Sequence, residues 1–204
     1  MRQDCAFTPG EAVSQLHVGA LLAAAFDRVV TVDPHLHRIS SLGDVLPDTA
    51  AVALSAAPAI GRFLRGRAAG ALLVGPDEES RQWVQSTAEA AGLEWAVGRK
   101  VRRGDRRVAV KLPEVPLRHR HVVLVDDMIS TGRTLVEAAH SLKRAGAARV
   151  DVAATHALFS PDVGRALHAA GVRRIWTTDS VRHRTNSIQL AALLGDVLRA
   201  TTPQ

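Results

Sequence analysis

The sequence predicts an α/β fold in which parallel strands are joined by crossover helices. From about residue 28 onward, short apolar runs alternate with helix-length patterns, the order in which a βαβ chain lays down its elements. Several of these runs are apolar throughout, as strands covered on both faces are. At 204 residues, with 47% hydrophobic and 23% charged side chains, the chain is long enough to bury a core without a disulfide or metal staple.

Thr8-Pro9-Gly10-Glu11 has capping-box spacing with proline at the first helical position. It predicts a helix with Val13, Leu16, Ala20, Leu21 and Ala24 on its apolar face. His17 reads as a core histidine of that helix. Strands are expected at Arg28 to Val32, Val52 to Ser55, Ala71 to Gly75, Trp95 to Arg99, His121 to Asp126, Val150 to Thr155 and Arg174 to Thr178. Between them, one helix runs from about Glu79 to Ala91 and stops at Gly92, and a second from Gly132 to Ala145 stops at Gly146. A further helix begins near Pro161. Lys100 to Arg120 lacks a helical pattern and reads as a loop with at most a short hairpin. There is no internal repeat and no low-complexity tract.

Composition excludes disorder and collagen-like structure. The single Cys5 cannot form an intrachain bridge and points to a reducing compartment. The polar start and the lack of a long apolar run predict a soluble, cytoplasmic protein without a membrane partner. The formal charge of +6 favours an anionic partner. Six cations fall in the nine residues from Arg99 to Arg107, and Arg118-His119-Arg120-His121 follows. With no Tyr in the chain and no aromatic residue inside the basic run, bases have nothing to stack on, so nucleic acid is disfavoured. A basic loop gripping a small phosphorylated ligand explains the run.

The most informative segment is His121-Val-Val-Leu-Val-Asp-Asp-Met-Ile-Ser-Thr-Gly-Arg-Thr134. An apolar strand delivers Asp126 and Asp127 to its carboxyl end, and Ser130-Thr131-Gly132-Arg133-Thr134 turns into a helix. Open α/β sheets bind ligands at such places. Unpaired N–H groups at the helix start and the hydroxyls of Ser130, Thr131 and Thr134 make a phosphate cradle, and Gly132 lets the backbone come close. The adjacent acids suit the hydroxyls of a sugar, or Mg²⁺ through its water shell. Phosphate and diol together describe a ribose 5-phosphate.

This stretch closely resembles the ribose-phosphate loop of the phosphoribosyltransferase superfamily. Arg2-Gln3-Asp4, Pro9-Gly10-Glu11-Ala12-Val13-Ser14 and Thr31-Val-Asp-Pro-His-Leu-His37 are similar to the ribose-phosphate pyrophosphokinases, or PRPP synthases, within it. The resemblance implies a type I phosphoribosyltransferase-like parallel sheet flanked by helices, plus a partial second α/β domain at the amino terminus. It implies that Arg2, Gln3 and Asp4 face ATP and that Asp33 and His35 bind the Mg²⁺ of MgATP, with Asp44 a weaker metal candidate. His37 keeps a structural reading.

Lys100-Val-Arg102 resembles the family's mobile catalytic loop, in which Lys100 and Arg102 would stabilise charge on the phosphoryl group in flight. Arg103, Arg106 and Arg107 read as solvated or steering charge. Gly75-Pro-Asp-Glu-Glu-Ser80 falls where the family places its pyrophosphate loop, implicating Asp77, Glu78 and Ser80. Here the chain departs from the commoner glycine-rich pattern, since Asp77, Glu78 and Glu79 repel phosphate unless a metal or water intervenes. Ser130 stands where many members have Asp. These departures suggest a divergent branch, nearer the archaeal-type enzymes.

By the resemblance, residues 1–50 are the last part of the family's amino-terminal domain and residues 51–204 the whole phosphoribosyltransferase-like domain, so about half of the usual fold is expected to be absent. Without its usual sheet, the first helix should leave apolar surface exposed. The implied reaction is ATP plus ribose 5-phosphate giving PRPP plus AMP. Two alternatives remain: a phosphoribosyltransferase that consumes PRPP, and a non-catalytic subunit associated with a full-length synthase. A homo-oligomer, or association with a full-length homologue, is expected.

Overall fold

A computed structural model describes residues 5–6, 8–36, 41–103 and 107–201. The chain divides into two compact units, Met1–Ser55 and Ala56–Gln204.

The first unit holds helix α1 (Ser14–Ala25), strand β1 (Arg28–Val32), a 3₁₀ turn (Leu42–Val45) and strand β2 (Ala50–Leu54). β1 and β2 pair in parallel, from Arg28 opposite Ala50 to Val32 opposite Leu54. Residues 51–55, expected in the second domain, therefore belong here, and the division falls after Ser55. The capping-box expectation needs correcting. Thr8 N–H does donate to the Glu11 carboxylate at 3.3 Å, but Gly10 takes φ +86°, which removes this turn from the helical path. The helix starts at Ser14. Its buried face is Gln15 and Gly19, while Leu16 is 53% and Leu21 69% exposed. His17 is exposed, not core. The cause is close approach at Gly19, where a Cβ would fall 1.9 Å from the Val45 carbonyl oxygen; only a glycine face admits that contact.

In the second unit six strands form a wholly parallel sheet. They are β3 (Leu72–Gly75), β4 (Glu94–Val97), β7 (His121–Ile129), β8 (Arg149–Ala157), β9 (Val172–Thr178) and β10 (Asn186–Ile188). Their order is β10-β9-β8-β7-β3-β4. Three helices connect them, α3 (Arg81–Ala91), α4 (Arg133–Arg144) and α5 (Pro161–Ala169); α2 (Ala57–Arg65) leads into β3 and α6 (Ala191–Thr201) closes the unit. Leu72, Val74, Val122, Leu124, Val150 and Val152 from the central strands pack with Leu135, Leu142 and Leu167 from helices in one buried core. Such continuous burial on both faces is why the strands read as unbroken apolar runs.

β5 (Arg99–Arg103) and β6 (Arg107–Lys111) form an antiparallel hairpin from the stretch read as loop with at most a short hairpin. α2, α6 and β10 are absent from the sequence expectations. α2 hides because it carries Gly61 at its centre, a poor helix former. Packing requires it: a Cβ there would lie 2.6 Å from both Ala90 Cβ and the Thr87 carbonyl oxygen of α3.

Candidate functional site

β3 and β7 lie side by side, yet the sheet grows from β3 toward β4 and from β7 toward β8. This is the topological switch point of a parallel sheet, where connections leave in opposite directions and open a crevice at the strands' carboxyl ends. The loop after β3 and the loop after β7 border that crevice, so segments more than forty residues apart in sequence (Gly75 and Ser130) share one site.

The loop after β7 leads straight into a helix whose start is left open. Gly132 is the N-cap of α4 at φ +68°, no side chain caps the helix, and its first turn carries no acid. The helix N–H groups and the positive end of the dipole are therefore uncompensated. The hydroxyls of Ser130, Thr131 and Thr134 make no hydrogen bond among the described residues; Thr131 is exposed and the other two half-buried. Gly132 is required twice over, by its left-handed backbone and because a Cβ would meet Val163 Cγ1 of α5 at 2.4 Å.

The paired acids lie differently from the sequence expectation. β7 does not end at Asp126 but continues to Ile129, held by the equally long β8 through Met128 opposite His156 and Ile129 opposite Ala157. Asp126 and Asp127 are thus consecutive strand residues, and their carboxyls interact with one another. Asp126 is half-buried and Asp127 only 4% exposed, and the Asp127 N–H donates to Asp126 Oδ1 at 3.0 Å. Burial, then the charges of Asp127 and Asp77, hold the Asp126 carboxyl well above the ordinary carboxylate range. Asp77 therefore acts on the same site from the neighbouring strand.

The loop after β3 is tightly fastened. Ser80 is 1% exposed, and its hydroxyl donates to the Asp77 carbonyl at 2.5 Å. Expected to face pyrophosphate, Ser80 instead spends its only proton on the loop's own backbone. Gly75 permits this turn, since a Cβ there would lie 2.4 Å from Ser80 Oγ. Glu78 pairs with Arg81, which lowers the Glu78 carboxyl. Its charge is thus matched at the surface, leaving Asp77 as the acid that acts on the crevice.

Lys100 and Arg102 are backbone positions of β5, opposite Val110 and Val108, and the return strand β6 runs beside α4. Their side chains, with those of Arg103 and Arg107, lie outside the described residues, as do Arg2, Gln3, Asp4, His37 and Arg106.

In the first unit, Asp33 follows β1 with φ +42°. It is 4% exposed, and its N–H donates to the Leu54 carbonyl at 2.8 Å. A non-glycine residue held left-handed at a strand end is a common mark of a functional position. His35, half-buried, lines a cavity of ≈ 170 Å³ with Gln15, Val18, Leu22 and Leu42. Asp44, the weaker metal candidate, accepts the Ser41 N–H at 3.0 Å as a cap of its 3₁₀ turn. Among the described residues no three His, Cys, Asp or Glu side chains are arranged to hold a metal. Mg²⁺ takes one or two carboxylates and completes its shell with water and phosphate. Asp33 is a suitable oxygen donor, and His35, a softer nitrogen donor, suits a bound water or phosphate better.

Sequence reasoning missed Val163, which packs on Gly132 in the loop after β7, and the hydroxyl network at the ends of β8 and β9. There Thr178 Oγ1 and Ser180 Oγ both donate to the Thr155 carbonyl, at 2.7 and 3.0 Å, so His156 Nδ1 donates to Ser180 Oγ at 2.9 Å. Polar residues at a predicted strand's carboxyl end were the available signal. No described helix is long and apolar enough to cross a membrane.

Residues 59–181 match the phosphoribosyl transferase domain family. The ribose-phosphate pyrophosphokinase of Methanopyrus kandleri is 37% identical over 192 residues, 93% of this chain and 65% of that protein. Ribose-phosphate pyrophosphokinase 2 of Archaeoglobus fulgidus is 34% identical over 195 residues, 96% of this chain and 69% of that one. The crystal structure of phosphoribosylpyrophosphate synthetase from Mycobacterium smegmatis superposes with a TM-score of 0.76 at 25% identity, covering 97% of this chain and 66% of that chain. The chain thus spans 65–69% of the length of these relatives, more than the half that the resemblance implied.

Proposed function

The chain belongs to the ribose-phosphate pyrophosphokinase family, within the phosphoribosyl transferase fold, and on that premise we propose that it transfers a diphosphate from ATP to ribose 5-phosphate, giving PRPP and AMP. The anomeric oxygen of the sugar attacks the β-phosphorus in line. The bond from that phosphorus to the oxygen bridging to the α-phosphate breaks, and AMP leaves with that oxygen. The proton of the anomeric hydroxyl passes to solvent.

One observation carries this reading: an uncapped helix start with three unpartnered hydroxyls borders the same crevice as a carboxyl, Asp126, whose environment disfavours its charge. The first part suits the 5-phosphate, held by Ser130, Thr131, Thr134 and the backbone at Gly132. Asp126 suits a sugar hydroxyl, as a neighbour that gains from hydrogen-bond partners. Asp127 is assigned to the ribose with it, and its burial makes it the more rigid member. Lys100 and Arg102 are assigned to the migrating diphosphate, on a hairpin beside α4. Arg2, Gln3 and Asp4 are assigned to the nucleotide. Asp33 and His35 would hold Mg²⁺, which when bound neutralises phosphate charge. Asp77 stands in a loop where many family members carry glycines, so phosphate at this loop requires an intervening cation or water.

The test is ³¹P NMR of the full chain with MgATP and ribose 5-phosphate and no nucleobase. PRPP and AMP formed in equal amounts support the reading. If PRPP is consumed only when a nucleobase is present, the chain is a phosphoribosyltransferase. Ribose 5-phosphate binding without AMP would assign it as a non-catalytic partner.

A further inference from the structure

Outside the crevice, a hollow of ≈ 540 Å³ is lined by Phe159, Pro161, Arg182, His183 and Arg184. Its walls come from the start of α5 and from the connection between β9 and β10. Arg182 and Arg184 are exposed, and neither has an ion-pair partner among the described residues. The one acid in the first turn of α5, Asp162, is taken by Arg165, so its charge is already matched. Arg184 lies over the helix start, with its NH2 3.1 Å from where a Gly164 Cβ would stand.

The other lining groups are flat. The Phe159 and His183 rings meet at an angle, with centroids 4.4 Å apart and planes tilted by 50°, and Phe159 is only 8% exposed. Thr185 N–H donates to His183 Nδ1 at 3.3 Å, so the neutral imidazole carries its proton on Nε2. Burial, and then the Arg184 charge, keep His183 below its ordinary pKa and hence neutral at pH 7. The hollow therefore presents two guanidinium groups without ion-pair partners among the described residues, beside Pro161 and the two inclined rings.

We propose that this hollow is a binding site for an aromatic phosphate, with the phosphate held by Arg182 and Arg184 and the ring laid against Phe159, Pro161 and His183. Guanidinium forks match phosphate oxygens bidentately, and cations over or beside rings favour planar ligands. The site is separate from the anion loop yet touches it through one turn of helix. α5 begins with Pro161 lining the hollow, and two residues on Val163 packs against Gly132. The inference stands on these contacts whichever reaction the crevice performs.

Phenyl phosphate is a direct probe. The full chain is saturated with ribose 5-phosphate, to fill any competing phosphate cradle, and the imidazole proton resonances are followed by NMR during titration. The His183 signals should move along a saturating curve, with the His183 pKa rising as phosphate offsets the Arg184 charge. Because both arginines are exposed, R182A/R184A keeps its fold, and it should weaken the binding at least about tenfold, as loss of a charge-assisted hydrogen bond does. Inorganic phosphate should bind several-fold more weakly, lacking the ring. The proposal is overturned if His183 does not respond, if the double variant binds equally well, or if inorganic phosphate binds as tightly as phenyl phosphate.

Discussion

The charge of Asp77, carried just past the end of β3, acts on Asp126 in the neighbouring strand β7 and adds to the burial and the Asp127 charge that raise the Asp126 carboxyl. A raised carboxyl binds its proton more tightly folded than unfolded. Its stabilising contribution is complete below the unfolded value of 3.8 and is lost as pH climbs through the folded value. D126N should therefore melt a few degrees above wild type at neutral pH and lose that advantage near pH 3.5, while binding ribose 5-phosphate poorly. Thermal denaturation across this range checks it; an Asn variant less stable at neutral pH contradicts the assignment.

D77N removes one of the charges raising Asp126 without entering the ribose cradle. The Asp126 carboxyl, followed by ¹³C NMR, should titrate at lower pH in D77N than in wild type. An unchanged titration would mean that the two carboxyls do not interact.

Gly132 answers to both backbone and packing. G132A forces an L-residue to φ +68° and drives a methyl into Val163, so a loss of about 1–3 kcal/mol is expected. V163A relieves the contact but not the backbone strain, so G132A/V163A should recover part of the stability and little of the ribose 5-phosphate affinity. Urea denaturation and calorimetry separate the two effects.

At the opposite end of β7, fully buried Asp151 bonds His121 Nε2 at 2.8 Å, pairs with Arg149 at 2.7 Å and accepts the Arg174 N–H at 3.0 Å. D151A leaves the Arg149 cation, the His121 ring and an N–H without their acceptor and should cost about 3–5 kcal/mol. A loss under about 1 kcal/mol, within the range of surface pairs, would show the cluster to be solvated. Because it stands away from the crevice, ligand binding well below the melting temperature should persist.

If Lys100 meets charge only in the transition state, K100A should lower turnover about 10²–10³-fold with ribose 5-phosphate affinity nearly unchanged. Equal losses in turnover and affinity would make Lys100 a ground-state binder.

What could be read directly was local. The strand-loop-helix from His121 to Gly146 announces itself because an apolar run, a cluster of small hydroxyl residues, Gly132 and an amphipathic helix follow one another within 26 residues. The glycine stop at Gly92, at φ +69°, is equally local. Less legible was the first helix. Its apolar residues suggested one face, but tertiary contact at Gly19 selected the Gln15 face and left Leu16 and Leu21 outside. Ser80 looked like a phosphate ligand because a buried loop hydroxyl and an exposed one are spelled alike.

By itself, then, the order of residues determined the parallel α/β class, the strand-loop-helix around Ser130–Thr134 and the family kinship, since each rests on periodicity or short spacing along the chain. Tertiary structure alone decided that β3 lies next to β7, bringing Asp77 to bear on Asp126, and that Val163 rests on Gly132. Strand order and helix docking are settled by burial of surfaces far apart in sequence, and no short-range pattern encodes which distant surface will meet which.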